Sequence, residues 1–146
     1  MPYFICPNCQ RRSIDDDGRE GLTGQPVACS SCGFGFLFQI LDDYYPAPGT
    51  GFLVCDQEGR VIAAGHGVFE LTGYQERDLL GKEVDSLFEP DGDGPTPAAL
   101  ALEYGVRRLD QKLTLKTSAG LRKVVHADFF PAYDEDGGLL VALAPR

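Results

Sequence analysis

Apolar and polar positions alternate in short blocks along most of the chain, and the period of the blocks changes in a definite order. Gly51-Phe-Leu-Val-Cys-Asp56 is an apolar run, Gln57-Glu-Gly59 a turn, and Arg60-Val-Ile-Ala-Ala64 a second apolar run; together they predict a β-hairpin. Gly67 to Gly73 encloses Val68, Phe69 and Leu71 and predicts a short helix stopped at Gly73. Glu76 to Leu80 and Lys82 to Phe88 each carry Leu or Val on one side and charges on the other, predicting two more short helical stretches. Glu89 to Pro95 reads as a loop, and Pro97 to Leu109 as a helix with proline in its first turn, where a missing N–H costs nothing. Three strands follow. Leu113 and Leu115 alternate with Lys112, Thr114 and Lys116; Val125, Ala127 and Phe129 alternate with Val124, His126 and Asp128; Leu139 to Leu143 closes the series after the turn Asp134-Glu-Asp-Gly-Gly138. Two strands, a helical middle and three strands predict an α+β fold on an antiparallel sheet.

The first forty residues follow a different pattern. Phe34, Phe36 and Phe38 alternate with smaller residues, the period of a strand with one apolar face. Asp42-Asp-Tyr-Tyr-Pro-Ala-Pro-Gly-Thr-Gly51 then combines charge, proline and glycine. The chain therefore divides into residues 1–41, a linker at 42–50, and a larger unit at 51–146.

Five cysteines occur, four of them in two pairs, Cys6-Pro-Asn-Cys9 and Cys29-Ser-Ser-Cys32, with 19 residues between the pairs. Two residues between thiols let a tight turn aim both sulfurs at one point, and two such turns complete a tetrahedral zinc shell at about 2.3 Å per Zn–S bond. Two disulfides would need an oxidising compartment, and the N-terminus shows no export signal. A redox C-x-x-C pair would need a helix start after a strand, which a duplicated pair fits poorly. Cys6, Cys9, Cys29 and Cys32 are therefore expected to hold one structural Zn²⁺ per chain, since four thiolates leave no coordination position for substrate. The segment resembles a single-zinc ribbon across residues 1–41, which implies short antiparallel strands near residues 3–5, 26–28 and 34–40. A unit this small needs its metal to fold.

Charge narrows the partners. The 146 residues carry 13 Lys plus Arg against 22 Asp plus Glu, a net charge of −9. Within residues 1–41, Arg11, Arg12 and Arg19 face Asp15, Asp16, Asp17 and Glu20, leaving −1 there and −8 in the remainder. Ribbons often touch nucleic acid, but this balance is no footprint for a phosphate backbone. The ribbon is expected to dock on protein; a nucleic-acid-associated transcriptional regulator is the alternative. No apolar run approaches the ~20 residues of a membrane span, so a cytoplasmic protein is expected.

The larger unit resembles a PAS domain. The residues that carry the likeness are Asp56-Gln-Glu-Gly-Arg-Val-Ile62, Phe69-Glu-Leu-Thr-Gly-Tyr74, Asp78-Leu-Leu-Gly-Lys82, Val84-Asp-Ser-Leu-Phe88 and Phe130-Pro-Ala-Tyr-Asp-Glu-Asp-Gly137. The likeness implies a five-stranded antiparallel sheet cupped around short helices, a cavity between them, and dimerisation through the outer face of the sheet. Where the family commonly has Asn before the first short helix, this chain has Gly65-His66-Gly67, so a weaker helix cap is expected. The flavin photosensors of the family have an Asn-Cys-Arg motif beside the helix running to Phe88, yet no cysteine lies between residues 56 and 146. Haem sensors usually need a histidine on the long helix, and residues 97–109 contain none. Neither haem nor flavin is expected.

Other candidates carry less. His66 and His126 are expected to be loop or surface histidines, and Cys55 a small buried hydrophobe. Asp91-Gly-Asp-Gly94 lacks the remaining ligands of a calcium loop. No nucleophile–base pair can be assembled, so no catalytic residues are assigned and enzyme activity is not expected. Val124, Phe130, Tyr44 and Tyr45 are expected to cover the outer sheet face. The sequence thus points to a zinc-binding, PAS-type sensory or interaction adaptor. It would act in trans through a protein partner or homodimer, with room for a small apolar ligand.

Overall fold

The hairpin that opens the larger unit forms where the apolar runs place it, as β4 (Gly51–Cys55) and β5 (Val61–Ala64) below. The computed structural model describes residues 3–6, 12–13, 38–40, 47–65, 67–89, 94–131 and 138–145. Before the hairpin, β1 (Tyr3–Ile5), β2 (Arg12–Ser13) and β3 (Phe38–Ile40) form a three-stranded antiparallel sheet in the order β2-β1-β3. Strand expectations at residues 26–28 and 34–37 lie outside the described residues, and β2 was not foreseen by the pattern.

After the hairpin come α1 (Val68–Thr72), α2 (Glu76–Leu79), a 3₁₀ turn at Val84–Leu87 and α3 (Pro97–Tyr104). Three strands complete the unit: β6 (Arg108–Lys116), β7 (Arg122–Pro131) and β8 (Leu139–Pro145). All neighbours pair antiparallel in the order β5-β4-β8-β7-β6, so the last strand lies in the middle. The α+β fold class is thereby shown for this unit.

The helices pack on one face of the sheet. Leu53 and Cys55 of β4, Leu139, Val141 and Leu143 of β8, and Val125, Ala127 and Phe129 of β7 meet Val68, Leu79, Leu87 and Ala101 in one buried cluster. Each fully buried Leu or Phe side chain contributes about 1.5–3 kcal/mol relative to leaving it in water. On the opposite face Phe52, Val54, Phe130, Leu140 and Ala142 are also buried, so the central strands are shielded on both sides. This is why their sequence reads as continuous apolar runs. Val124 stands apart on that face at 37% exposure, while Tyr44 and Tyr45 lie outside the described residues. No described helix is long and apolar enough to cross a membrane.

One sequence expectation needs correction. The helix expected to run to Leu109 stops at Tyr104, because Gly105 takes a left-handed conformation (φ 66°) and its N–H closes the helix on the Ala101 carbonyl. Arg108 and Leu109 instead join β6, which is longer than the leucine alternation suggested. The short helical stretch expected within Lys82 to Phe88 is present as a 3₁₀ helix at Val84–Leu87.

One close approach fixes where the first helix sits. A Cβ on Gly51 would lie 2.7 Å from the Gly67 carbonyl carbon, and one on Gly67 would lie 2.8 Å from the Thr50 oxygen. Gly67 is also the α1 N-cap, with φ 95° and no side-chain cap bond, in keeping with the weak cap expected of Gly65-His66-Gly67. Gly81 shares a positive φ of 84° but has nothing within 4 Å. Gly81→Ala is therefore expected to cost only the conformational term, about 1 kcal/mol. Gly67→Ala adds the collision with β4 and should cost about 3 kcal/mol. Urea unfolding of both variants measures this, and equal losses would contradict the close approach.

Candidate functional site

Sheet and helices part company at the β6 end, and a cleft opens there. After the 3₁₀ turn the chain leaves the inner face through Phe88 and Glu89, where the Glu89 N–H donates to the Thr114 carbonyl at 3.0 Å. It returns as the N-terminus of α3. Between these segments and β6 lies a cleft of about 390 Å³ with an apolar floor of Phe88, Leu100 and Leu113 and a polar rim of Asp85, Thr96, Gln111 and Lys112. That volume lies within the roughly 300–1,000 Å³ of small-molecule sites, and the mix of apolar floor with few polar groups is typical of them.

Thr96 organises the cleft mouth. Its hydroxyl oxygen accepts from the Ala99 N–H at 3.1 Å, capping α3, and its O–H donates to Asp85 Oδ2 at 2.9 Å. The 3₁₀ turn and α3 are therefore tied through one hydroxyl. Desolvation against the cleft wall pushes the Asp85 carboxyl above its ordinary range, the nearby Glu83 charge adds to this, and the Thr96 bond opposes it. Glu89 is engaged by Arg122 in an ion pair across the cleft's lower edge.

A second hollow, of about 270 Å³, lies on the outer face of the sheet. Two residues of β6, Leu109 and Asp110, bulge out opposite Asp128, and Asp110 takes a left-handed conformation (φ 56°). Its N–H donates to Asp128 Oδ1 at 2.7 Å, and its carboxylate meets His126 Nδ1 at 2.8 Å. Small side chains at Ala142 and Ala144 leave the space beneath.

The residues singled out from sequence fall as follows. Cys6 directly follows β1 and is fully buried, while Cys9, Cys29 and Cys32 lie outside the described residues. The described residues hold no group of three or more metal-ligating side chains. Cys55 is fully buried on the inner face, and burial, with the Asp56 and Asp85 charges behind it, pushes its thiol far up, so it persists as an inert thiol. His66 lies outside the described residues, as do Asp91 to Asp93. His126 is not in a loop; it stands mid-strand on β7, half-exposed and bonded to Asp110. Neither a cysteine nor a histidine is among the described residues lining the cleft.

Sequence reasoning missed Asp85, Thr96 and Lys112. Thr96 before Pro97 is a cap signal that could have been found, whereas the carboxylate that meets it comes from eleven residues upstream.

The Asp85–Thr96 tie is open to test by pH. A carboxyl whose folded pKa is raised contributes stability that is full below its ordinary value and is lost as pH rises through the folded value. Asp85→Asn keeps an acceptor for Thr96 without the charge. It is expected to be more stable than the parent chain at neutral pH, with an advantage that shrinks in acid. Thr96→Ala loses the cap and should cost about 1 kcal/mol. Urea titrations across pH read both, and an Asp85→Asn advantage that grew in acid would contradict the assignment.

Comparison with known proteins accords with this architecture. A family model described as PAS domain matches residues 49–144. The fold is similar to the PAS domain of a protein from Colwellia psychrerythraea, with 21% identity and a TM-score of 0.54 over 66% of this chain and 86% of that one. It is similar to the PAS domain of nitrogen regulation protein NR(II) from Vibrio parahaemolyticus, with 15% identity and a TM-score of 0.56 over 68% and 91%. The light-state dimer of the fungal blue-light photoreceptor Vivid gives 14% identity and a TM-score of 0.58 over 71% and 82%. At these identities the structural likeness speaks for the fold alone. No curated protein matches the sequence. The family match spans most of the chain and coincides with the five-stranded sheet and its helices: the chain belongs to the PAS domain family.

Proposed function

We propose that the chain is a signalling module in which the PAS unit senses a small apolar ligand or engages a protein, and a zinc ribbon braces the N-terminus. The observation that carries the sensory part is the cleft at Asp85, Thr96, Leu100 and Leu113, whose walls come from three separate elements. A molecule seated there touches the cap of α3 and strand β6 together. It can shift their arrangement by as much as its affinity differs between the two. The response passes to other molecules through a protein partner or a second copy on the sheet, because the reading assigns no catalytic group to this chain.

The zinc part rests on the paired spacing of Cys6, Cys9, Cys29 and Cys32 and on the burial of Cys6. These four would hold the metal as thiolates, and it would supply structural rigidity with no open coordination position. Zinc-bound thiolates are at home in a reducing compartment, which supports a cytoplasmic module.

Two measurements test these parts. Native mass spectrometry is expected to give one zinc per chain, with loss of the 1–41 strands on chelation and retention of the PAS unit; a mass carrying two disulfides would overturn the ribbon. Indole, an apolar probe of suitable size, is expected to shift the amide NMR resonances of Leu100 and Gln111 to Leu113. Saturable binding that moved only residues remote from the cleft would reject this cleft as the sensing site.

A further inference from the structure

The two edges of the five-stranded sheet are finished differently. On β5, the Val61 N–H donates to the Lys82 carbonyl at 2.8 Å, the Val61 carbonyl accepts from Gly81 at 2.9 Å, and the Ala64 N–H donates to Glu76 Oε2 at 2.9 Å. That edge is closed. On β6, the outward carbonyl of Thr114 is taken by Glu89 and Phe88 bridges Leu115, and among the described residues the pairing goes no further. Alternation along a strand turns the N–H and C=O of Lys112 to the same edge as Thr114, and no described residue outside the sheet bonds them. The open stretch runs along the cleft.

Charge accumulates at this edge. Residues 107–123 hold Arg107, Arg108, Lys112, Lys116, Arg122 and Lys123 against the single acid Asp110, a local +5 in a chain of net −9. The cations are set against one another. Lys116 faces Arg122 across the strands, a like-charge placement that costs stability. Glu89 answers Arg122 and Asp110 answers His126, but no described carboxylate pairs with Lys112 or Lys116. Arg108 Nε, on the same strand, is buried without a hydrogen-bond partner.

We propose that the open edge of β6 between Arg108 and Leu113 accepts a short acidic strand from a partner protein. The added strand would bond the outward N–H and C=O of Lys112. Its alternate side chains would fall on two faces: apolar ones into the cleft over Phe88 and Leu113, acidic ones beside Lys112 and toward the ammonium of Lys116 further along that face. Edge lysines deter a second copy of the same basic edge, which would bring like charges together, but they admit a strand of opposite charge. The inference rests on reading the chain as an interaction module and gives the partner its chemistry.

The test uses the full chain and a labelled peptide of alternating Glu and Val, followed by fluorescence anisotropy. Saturable, salt-sensitive binding is expected, weakened about tenfold or more by Lys112→Glu with Lys116→Glu, and to a lesser degree by Lys112→Gln with Lys116→Gln. A peptide N-methylated at alternate residues, which keeps charge but cannot pair on its methylated edge, is expected not to bind. The proposal is overturned if the N-methylated peptide or a Gln–Val peptide binds equally well. Absence of saturable binding, or displacement of the peptide by an equal concentration of single-stranded oligo-dT, would overturn it as well. Indole binding at the cleft without peptide binding would defeat this inference and leave the sensory reading intact.

Discussion

The fold depends on the insertion of β8 between β4 and β7. Leu139 pairs with Cys55 on one side and Pro131 on the other, and Leu143 with Gly51 and Ala127. The first hairpin of the unit and the last long hairpin have no direct pairing, so only this strand joins them into one sheet. Its backbone is paired on both edges and its side chains from Leu139 to Leu143 are buried on both faces. That makes the sheet a structure of long sequence separation, closed only when its final residues arrive. The helices then have a single continuous surface to cover, and the contact of Gly51 with Gly67 fixes the point from which they start.

A middle position for β8 leaves β5 and β6 at the edges, and the proposed function rests on how differently these are treated. The segment from Gly81 to Val84 seals β5 and delivers the 3₁₀ turn to the inner face. At β6 the described residues of the same chain touch down at Phe88 and Glu89 before α3 begins. The gap between touchdown and helix is the cleft, and the Asp85–Thr96 bond bridges its mouth. The cleft and the unpaired stretch of strand edge beside it are thus two results of one topological choice. Partner and ligand readings meet on the same few residues for that reason.

Much of the sheet was legible because burial on one or both faces imposes a pattern. Val125, Ala127 and Phe129 alternate since β7 has a core side, and the run Leu139 to Leu143 is continuous since β8 has two. Helix ends were less legible. Pro97 announced a start, but the stop at Gly105 competed with an apolar pattern continuing through Val106 and Leu109, which are exposed in the structure. The bulge at Asp110 left no mark, because an acid in a left-handed conformation looks like any polar strand residue. The cleft left none either: Asp85, Thr96 and Lys112 are unremarkable apart and acquire meaning only when three elements bring them together. The cysteine pairs are the converse case, a chemistry read from spacing whose geometry lies mostly outside the described residues.

The central claim is that a β8-centred sheet leaves the β6 edge as its working side, and native-state amide hydrogen exchange tests it most directly. The account predicts that amides of Leu140 to Leu143 and of Leu53 to Cys55 exchange last and together, through global unfolding alone. The Lys112 amide, which points off the open edge, should exchange orders of magnitude sooner by local fluctuation. Protection of Lys112 equal to that of β8, or early exchange of β8 itself, would contradict the account.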